Sequence, residues 1–143
     1  MKNHDIVVIG GGPAGMSAAI YAARAGRSAA IVEGAACGGQ MLLAHEIENY
    51  PGFTKIAGYA LADQMMEQAN SLGVSITYAQ VDSVTKEDDR FTLLCGSKSF
   101  TASAVIVAAG AKHRTLDVPG ETEFIGRGVS YCAVCDGRFF AGK

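Results

Sequence analysis

The sequence predicts an α/β fold, namely a Rossmann-like nucleotide-binding domain with a parallel sheet and an added antiparallel β-meander. Three features predict it. A run of β-branched residues, 5–9, leads directly into the glycine-rich loop 10–15. An alanine-rich segment, 14–25, has the composition of a helix, and a second apolar run, 28–32, follows it. This order of strand, loop, helix and strand is typical of a β-α-β unit with parallel strands.

The segments that follow predict a second helix and the rest of the sheet. Residues 59–72 carry apolar side chains at helical spacing and end before Gly73. Residues 74–79 are expected to form a third strand. The meander is predicted from short alternating segments separated by turn residues, at 81–86, 91–95 and 97–101. A further strand of the buried type is expected at 104–108.

Length and composition are typical of a globular domain, and they argue against a nucleic-acid-binding or a membrane-spanning protein. The chain has 143 residues, of which 49% are hydrophobic, and a formal net charge of −2. No basic patch favours nucleic-acid binding. The chain starts without a leader-like apolar region, and its longest apolar stretch, 102–111, is about half of what a bilayer span requires. We therefore expect a cytoplasmic protein with no membrane partner.

The glycine loop predicts a dinucleotide-binding site. Gly10 lets the chain turn sharply after the strand, Gly12 lets the backbone approach a pyrophosphate, and Gly15 lets the helix pack closely on the strand. The helix N-terminus around Pro13 and Ala14 presents backbone N–H groups and a partial positive charge to the phosphates. The loop lies between a strand and a helix, which is the context that this motif requires.

Glu33 strengthens that interpretation. It follows the second predicted strand, eighteen residues after Gly15, where a carboxylate can accept hydrogen bonds from ribose hydroxyls. It would repel a 2′-phosphate, so the bound adenosine is expected to belong to FAD or NAD rather than to NADP. The alternative is that the glycines only form a tight turn and that Glu33 is a solvated strand end.

A cysteine pair near the end of the chain predicts redox chemistry. Cys132 and Cys135 are two residues apart, a spacing that permits a disulfide and often lowers the pKa of the first thiol. Asp136 can give or take a proton beside them. Three alternatives remain open: a structural zinc site, two inert buried thiols, and a thioredoxin-like fold. Zinc would need two further ligands, and the sequence has no second close pair, so no metal is expected.

Six segments in this order together resemble bacterial-type (low molecular weight) thioredoxin reductases. The segments are 10–15, 33, 38–40, 48–53, 108–111 and 132–137. The most specific are Asn-Tyr-Pro-Gly-Phe and Cys-Ala-Val-Cys-Asp-Gly. The resemblance covers essentially the whole chain, and it implies a set of FAD-binding residues. The glycine-loop residues Gly10, Gly12, Pro13, Ala14 and Gly15 would hold the pyrophosphate, and Glu33 the ribose. Gly39, Gln40 and Asn49 would lie along the flavin side, and Ala109 and Gly110 would close over the cofactor from the late strand.

The resemblance also implies an activity. In such enzymes NADPH gives hydride to FAD, reduced flavin reduces a cysteine disulfide, and the resulting dithiol reduces thioredoxin. Cys135 would face the flavin, Cys132 would attack the disulfide of the partner, and Asp136 would be the acid–base residue. Relatives of full length are commonly homodimers.

The sequence departs from the family pattern at two small positions and in its extent. Val134 and Ala109 stand where threonine is frequent, and no second glycine fingerprint follows the cysteines. We therefore expect an N-terminal fragment without NADPH-dependent turnover of its own. Residues 1–117 would be the first part of the FAD-binding domain, and residues 118–143 a linker and the beginning of the NADPH-binding domain. The alternatives are the reductase component of a peroxiredoxin system and a non-catalytic dinucleotide-binding module.

Overall fold

Six strands form one mixed sheet in the first part of the chain. The computed structural model describes residues 2–142, apart from the side chains of Val134, Cys135, Arg138 and Phe139. The strands are β1 Lys2–Ile9, β2 Ala29–Glu33, β3 Ser75–Tyr78, β4 Ser83–Glu87, β5 Arg90–Cys95 and β6 Lys98–Val107. Their order is β3-β2-β1-β6-β5-β4. In this order β3, β2, β1 and β6 are parallel neighbours, whereas β6, β5 and β4 pair antiparallel. The predicted combination of a parallel sheet and a meander is therefore confirmed.

Two helices cover one face of the parallel strands. Helix α1 spans Pro13–Arg24, with proline at its first turn, and helix α2 spans Gly58–Ser71. In α2 the buried side chains recur every four residues, at Leu61, Met65 and Ala69, which is the spacing of one helix face. They pack in one core cluster with α1 and with alternate residues of the sheet. The apolar stripe predicted for this segment is therefore core packing.

The opposite face of the parallel strands packs against side chains of the meander. Side chains of successive residues in β1 point to opposite faces, so Val8 joins the helix-side core while Val7 joins a second cluster. That second cluster includes Leu93 of β5 and Phe100 of β6, both essentially inaccessible to solvent. The meander thus forms a second core with the parallel strands.

The prediction of two separate strands at 97–101 and 104–108 was wrong, because β6 runs unbroken from Lys98 to Val107. Its first half pairs antiparallel with β5, while its register with parallel β1 extends from Phe100 to Val107. Ala102 and Ser103 separate the two predicted segments, and neither is a turn residue that ends a strand. One long strand therefore belongs to both the meander and the parallel sheet.

The chain divides into two compact units, Met1–Gly110 and Ala111–Lys143. The second unit has little regular structure, with a short helix α3 at Ala133–Asp136 and a 3₁₀ turn at Gly137–Phe140. Among the described residues, no helix is both long enough and apolar enough to cross a membrane.

The second unit is organised around the buried carboxylate of Glu121. That carboxylate accepts hydrogen bonds from the backbone N–H groups of Leu116 and Asp117, at 2.7 to 3.0 Å, and from the Tyr131 hydroxyl. The Tyr131 ring stacks on His113 with a centroid separation of 3.5 Å. These contacts connect residues 113–121 to Tyr131, the residue directly before Cys132.

The leucine pair of β5 tests the second core. Leu93 is fully buried and Leu94 is 47% exposed, although they are adjacent in one strand. Leu93→Ala should lower the free energy of unfolding by about 2–5 kcal/mol, because it leaves a cavity. Leu94→Ala is the matched control and should change it by about 0.5 kcal/mol or less. Urea unfolding of both variants measures the difference, and equal losses would contradict the assignment of the two faces.

Titration of Tyr131 tests the Glu121 network. The hydrogen bond to the Glu121 carboxylate raises the pKa of Tyr131 to about 12. The bond therefore contributes stability below about pH 10, the ordinary tyrosine value, and the contribution is lost as the pH rises through about 12. Absorbance titration of tyrosinate should show a late component that disappears in Tyr131→Phe and shifts down in Glu121→Gln. The control Tyr21→Phe, an exposed tyrosine of α1, should leave it in place.

Candidate functional site

The turn between β1 and α1 brings two stretches of backbone into direct contact. Gly10 has a φ of +104°, and a Cβ there would lie 2.3 Å from the carbonyl oxygen of Ala108. A Cβ on Gly15 would lie 1.9 Å from the carbonyl oxygen of Gly10. Only glycine fits either position, so the first turn of α1 lies directly against the end of β1.

Gly12 differs from both of these glycines because its surroundings are open. A Cβ on Gly12 would meet nothing within 4 Å, and its φ of −74° suits any residue. Gly12 is the N-cap of α1, makes no side-chain cap, and is followed by a first turn that contains no acidic residue. The first N–H groups of a helix have no intrahelical partners, so this end of α1 offers donors and a partial positive charge to an anion.

Glu33 contacts the loop itself. Its Oε2 accepts a hydrogen bond of 2.6 Å from the N–H of Gly11, and its Oε1 accepts one of 2.8 Å from the N–H of Ala35. The carbonyl of Gly11 in turn accepts a bond of 2.8 Å from the N–H of Gly38. The glycine loop is therefore held on both sides, and Gly38, with a φ of +114°, is a part of this arrangement that the sequence analysis did not assign.

Cys37 lies beneath the loop. It is 8% exposed and belongs to the helix-side core, and a Cβ on Gly11 would lie 2.7 Å from its Sγ. Burial raises the pKa of the Cys37 thiol, and the nearby Glu33 carboxylate raises it further, while a hydrogen bond with Tyr78 acts in the opposite direction. A thiol in this setting packs as a small apolar side chain.

The remaining predicted cofactor residues lie at the same end of the first unit or on exposed loops. Ala109 adjoins the turn, because its Cα would be 3.2 Å from a Cβ on Gly10, and the exposed Gly110 follows it. Gly39 begins the 3₁₀ helix Gly39–Leu43, and a Cβ on it would lie 3.5 Å from the Cα of Gly12. Gln40 is an exposed residue of that same helix. Asn49 is exposed in the loop between the paired residues 47 and 56.

The residues predicted for redox chemistry all belong to the second unit. Cys132 is half-buried and disulfide-bonded. Asp136 closes helix α3, and its backbone N–H donates to the Cys132 carbonyl at 3.0 Å. The side chain of Cys135 lies outside the described residues. Among the side chains that are described, no group of three or more His, Cys, Asp or Glu residues could hold a metal ion.

Ser130 is a contact of this motif that the sequence analysis missed. Its Oγ lies 2.5 Å from Asp136 Oδ2 and 3.1 Å from the backbone nitrogen of Cys132. The available signal was a serine two residues before the first cysteine, where serine commonly bonds to nearby backbone groups. The carboxylate six residues away could not be anticipated from spacing alone.

Comparison with known proteins confirms the predicted resemblance to thioredoxin reductases. The chain is 47% identical over 142 residues to a thioredoxin reductase of Treponema pallidum, a match that covers 99% of this chain and 46% of that relative. A crystal structure of thioredoxin reductase from Streptococcus pyogenes is 48% identical with a TM-score of 0.86, over 96% of this chain and 45% of that one.

A more distant structural neighbour is a ferredoxin-flavin thioredoxin reductase from Clostridium acetobutylicum. It is 34% identical with a TM-score of 0.71, over 100% of this chain and 50% of that one. The chain thus spans about half the length of the relatives that it matches. The family model for pyridine nucleotide-disulphide oxidoreductases matches residues 4–141. From the glycine loop to the cysteine motif, therefore, this chain belongs to the pyridine nucleotide-disulphide oxidoreductase family.

Proposed function

We propose that this chain provides the FAD-binding and disulfide-carrying part of a thioredoxin-disulfide reductase, in which electrons pass from NADPH through FAD to Cys132 and Cys135 and on to thioredoxin. The observation that carries the proposal is the occurrence of the glycine loop and the cysteine motif in one chain whose relatives are thioredoxin reductases. The same family likeness supports a cytoplasmic homodimer. The free thiols of Cys37 and Cys95 suit a reducing compartment.

The geometry of the first unit fits an FAD pyrophosphate. The open space at Gly12 lets backbone approach the phosphates, and the start of α1 at Pro13 and Ala14 supplies donors of the right charge. Glu33 already accepts two backbone hydrogen bonds, but a carboxylate has about four acceptor positions and can also accept from a ribose. FAD would supply the hydride and electron chemistry that protein side chains lack.

The proposed division of labour within the motif follows the family likeness. Cys132 is the thiol that attacks the disulfide of thioredoxin, Cys135 exchanges electrons with the flavin side, and Asp136 gives or takes the accompanying proton. Over the whole exchange two thiols of the motif are oxidised to one disulfide, and one disulfide of thioredoxin is reduced to two thiols.

We propose the boundary between the two functional parts close to Gly110, earlier than the boundary at 117 and 118 that the sequence predicts. Sequence motifs place the end of the FAD-binding part at 117 and the linker at 118. The hydrogen bonds from Leu116 and Asp117 to Glu121 favour an earlier position, close to Gly110.

Paired glycine variants test the FAD site. Gly12→Ala should keep the thermal stability of the chain but weaken FAD binding by roughly tenfold or more, about 1.4 kcal/mol, because its methyl group occupies the open space. Gly15→Ala should instead destabilise the fold, because its Cβ meets backbone. Quenching of FAD fluorescence and thermal melts measure the two effects. Ser17→Ala, on an exposed position of α1, is the control. FAD binding by Gly12→Ala equal to that of the parent chain would contradict the proposed site.

Thiol transfer tests the disulfide half of the proposal. The chain, reduced with dithiothreitol and then freed of it, should pass two electrons to oxidised thioredoxin, which gains two thiols detectable by alkylation and intact mass. Cys132→Ser should abolish the transfer by removing the attacking sulfur. Cys95→Ser is the matched control, because Cys95 is a buried thiol of β5. Undiminished transfer by Cys132→Ser would contradict the assignment.

A further inference from the structure

We propose that Ser130 is a positioning residue for the redox motif: its hydroxyl holds the Asp136 carboxylate in a fixed position relative to the backbone of Cys132. This inference rests on the proposed roles of Cys132 and Asp136 and deepens them. Ser130 itself carries no redox or acid–base chemistry. Its contribution is to fix the position of the Asp136 carboxylate.

The direction of the hydrogen bonds follows from a proton count. A hydroxyl has one proton to donate, and two acceptors lie near Ser130 Oγ: Asp136 Oδ2 at 2.5 Å and the Cys132 carbonyl oxygen at 3.3 Å. The carboxylate is both closer and charged, and hydrogen bonds to charged acceptors are shorter and stronger. The Cys132 carbonyl already accepts the backbone N–H of Asp136. Ser130 therefore donates to Asp136 and accepts from the backbone N–H of Cys132 at 3.1 Å.

These bonds close a ring around the motif. The Ser130 side chain joins the backbone nitrogen of Cys132 to the side chain of Asp136, and the Cys132 carbonyl joins back to the backbone of Asp136. Because one carboxylate oxygen is engaged with Ser130, the side chain of Asp136 loses rotational freedom, and its other oxygen, Oδ1, is the one that we propose exchanges the proton. General acid–base catalysis requires this kind of placement, since the proton must cross a hydrogen-bond distance.

The contrasting interpretation is that Ser130 only closes a local turn before α3. In that case it would act on the backbone of Cys132 and not through Asp136. A double-mutant cycle separates the two roles, because residues that act through each other have non-additive effects.

The experiment follows reduction of the Cys132 disulfide in the 143-residue chain by dithiothreitol. In this step the disulfide of the motif is reduced to two thiols, and dithiothreitol is oxidised to its cyclic disulfide. A proton must reach the departing thiolate. Aliquots quenched with iodoacetamide give the rate from intact mass. Ser130→Ala and Asp136→Ala should each slow the reaction by roughly tenfold, a modest part of what acid–base catalysis contributes.

The cycle and its controls decide the proposal. Ser130→Ala should have no further effect in the Asp136→Ala background, and Ser130→Thr, which keeps the hydroxyl, should retain the parent rate. Thr115→Ala is the matched control, because it removes another hydroxyl-to-carboxylate bond of the second unit, the 2.8 Å contact with Asp117. Circular dichroism of each variant confirms that the chain is folded.

Two results would overturn the proposal. One is an unchanged rate in Ser130→Ala, and the other is an equal slowing by Ser130→Ala with and without Asp136. Failure of the proposed function looks different, because in that case Asp136→Ala would not change the rate or Cys132→Ser would still reduce thioredoxin. A slowed Asp136→Ala beside a normal Ser130→Ala removes only the role of Ser130.

Discussion

The contact between the Gly15 Cα and the Gly10 carbonyl is the constraint on which the candidate cofactor site depends. A Cβ on Gly15 would lie 1.9 Å from that carbonyl oxygen, so helix and strand touch through backbone alone. This contact sets the start of α1 directly above the end of β1. The carboxyl end of β2 lies beside it, because β1 and β2 are parallel neighbours in register up to Ile9 and Val32. The helix N-terminus and Glu33 are therefore brought to one edge of the sheet.

Glu33 has a structural task besides the ribose binding that its place in the sequence predicts. Its carboxylate holds the N–H groups of Gly11 and Ala35, so it shapes the loop before any ribose is bound. The N–H of Gly38 donates to the carbonyl of Gly11 and holds the loop on its other side. A loop fixed in this way has less conformational entropy to lose when a ligand binds, and preorganisation of this kind favours affinity. In the proposed FAD site Glu33 would thus act through the order of the loop backbone as well as through hydrogen bonds to the ribose.

The parts of the molecule that could be predicted from sequence are those encoded locally. The strand, glycine loop and helix at the beginning are specified by neighbouring residues, and they were placed correctly. The continuous strand β6 was missed because Ala102 and Ser103 carry no strand-forming signal, and pairing with β1 and β5 decides their conformation. The contacts of Glu121 and Ser130 were missed for a related reason. A carboxylate that accepts from several residues is recognisable only when the chain path that unites them is known.

Different interactions stabilise the two units, and the difference matters for the chemistry that is proposed for each unit. The first unit has two apolar cores on either side of one sheet, whereas the redox motif is held by hydrogen bonds among Ser130, Cys132 and Asp136. All of these bonds lie within seven consecutive residues, 130–136. The position of the Asp136 carboxylate relative to the backbone of Cys132 is therefore set within the motif itself. In the proposed reaction the disulfide would exchange electrons first with a cofactor and then with a protein. A locally closed network would keep the proposed proton carrier, Asp136, in place in both environments.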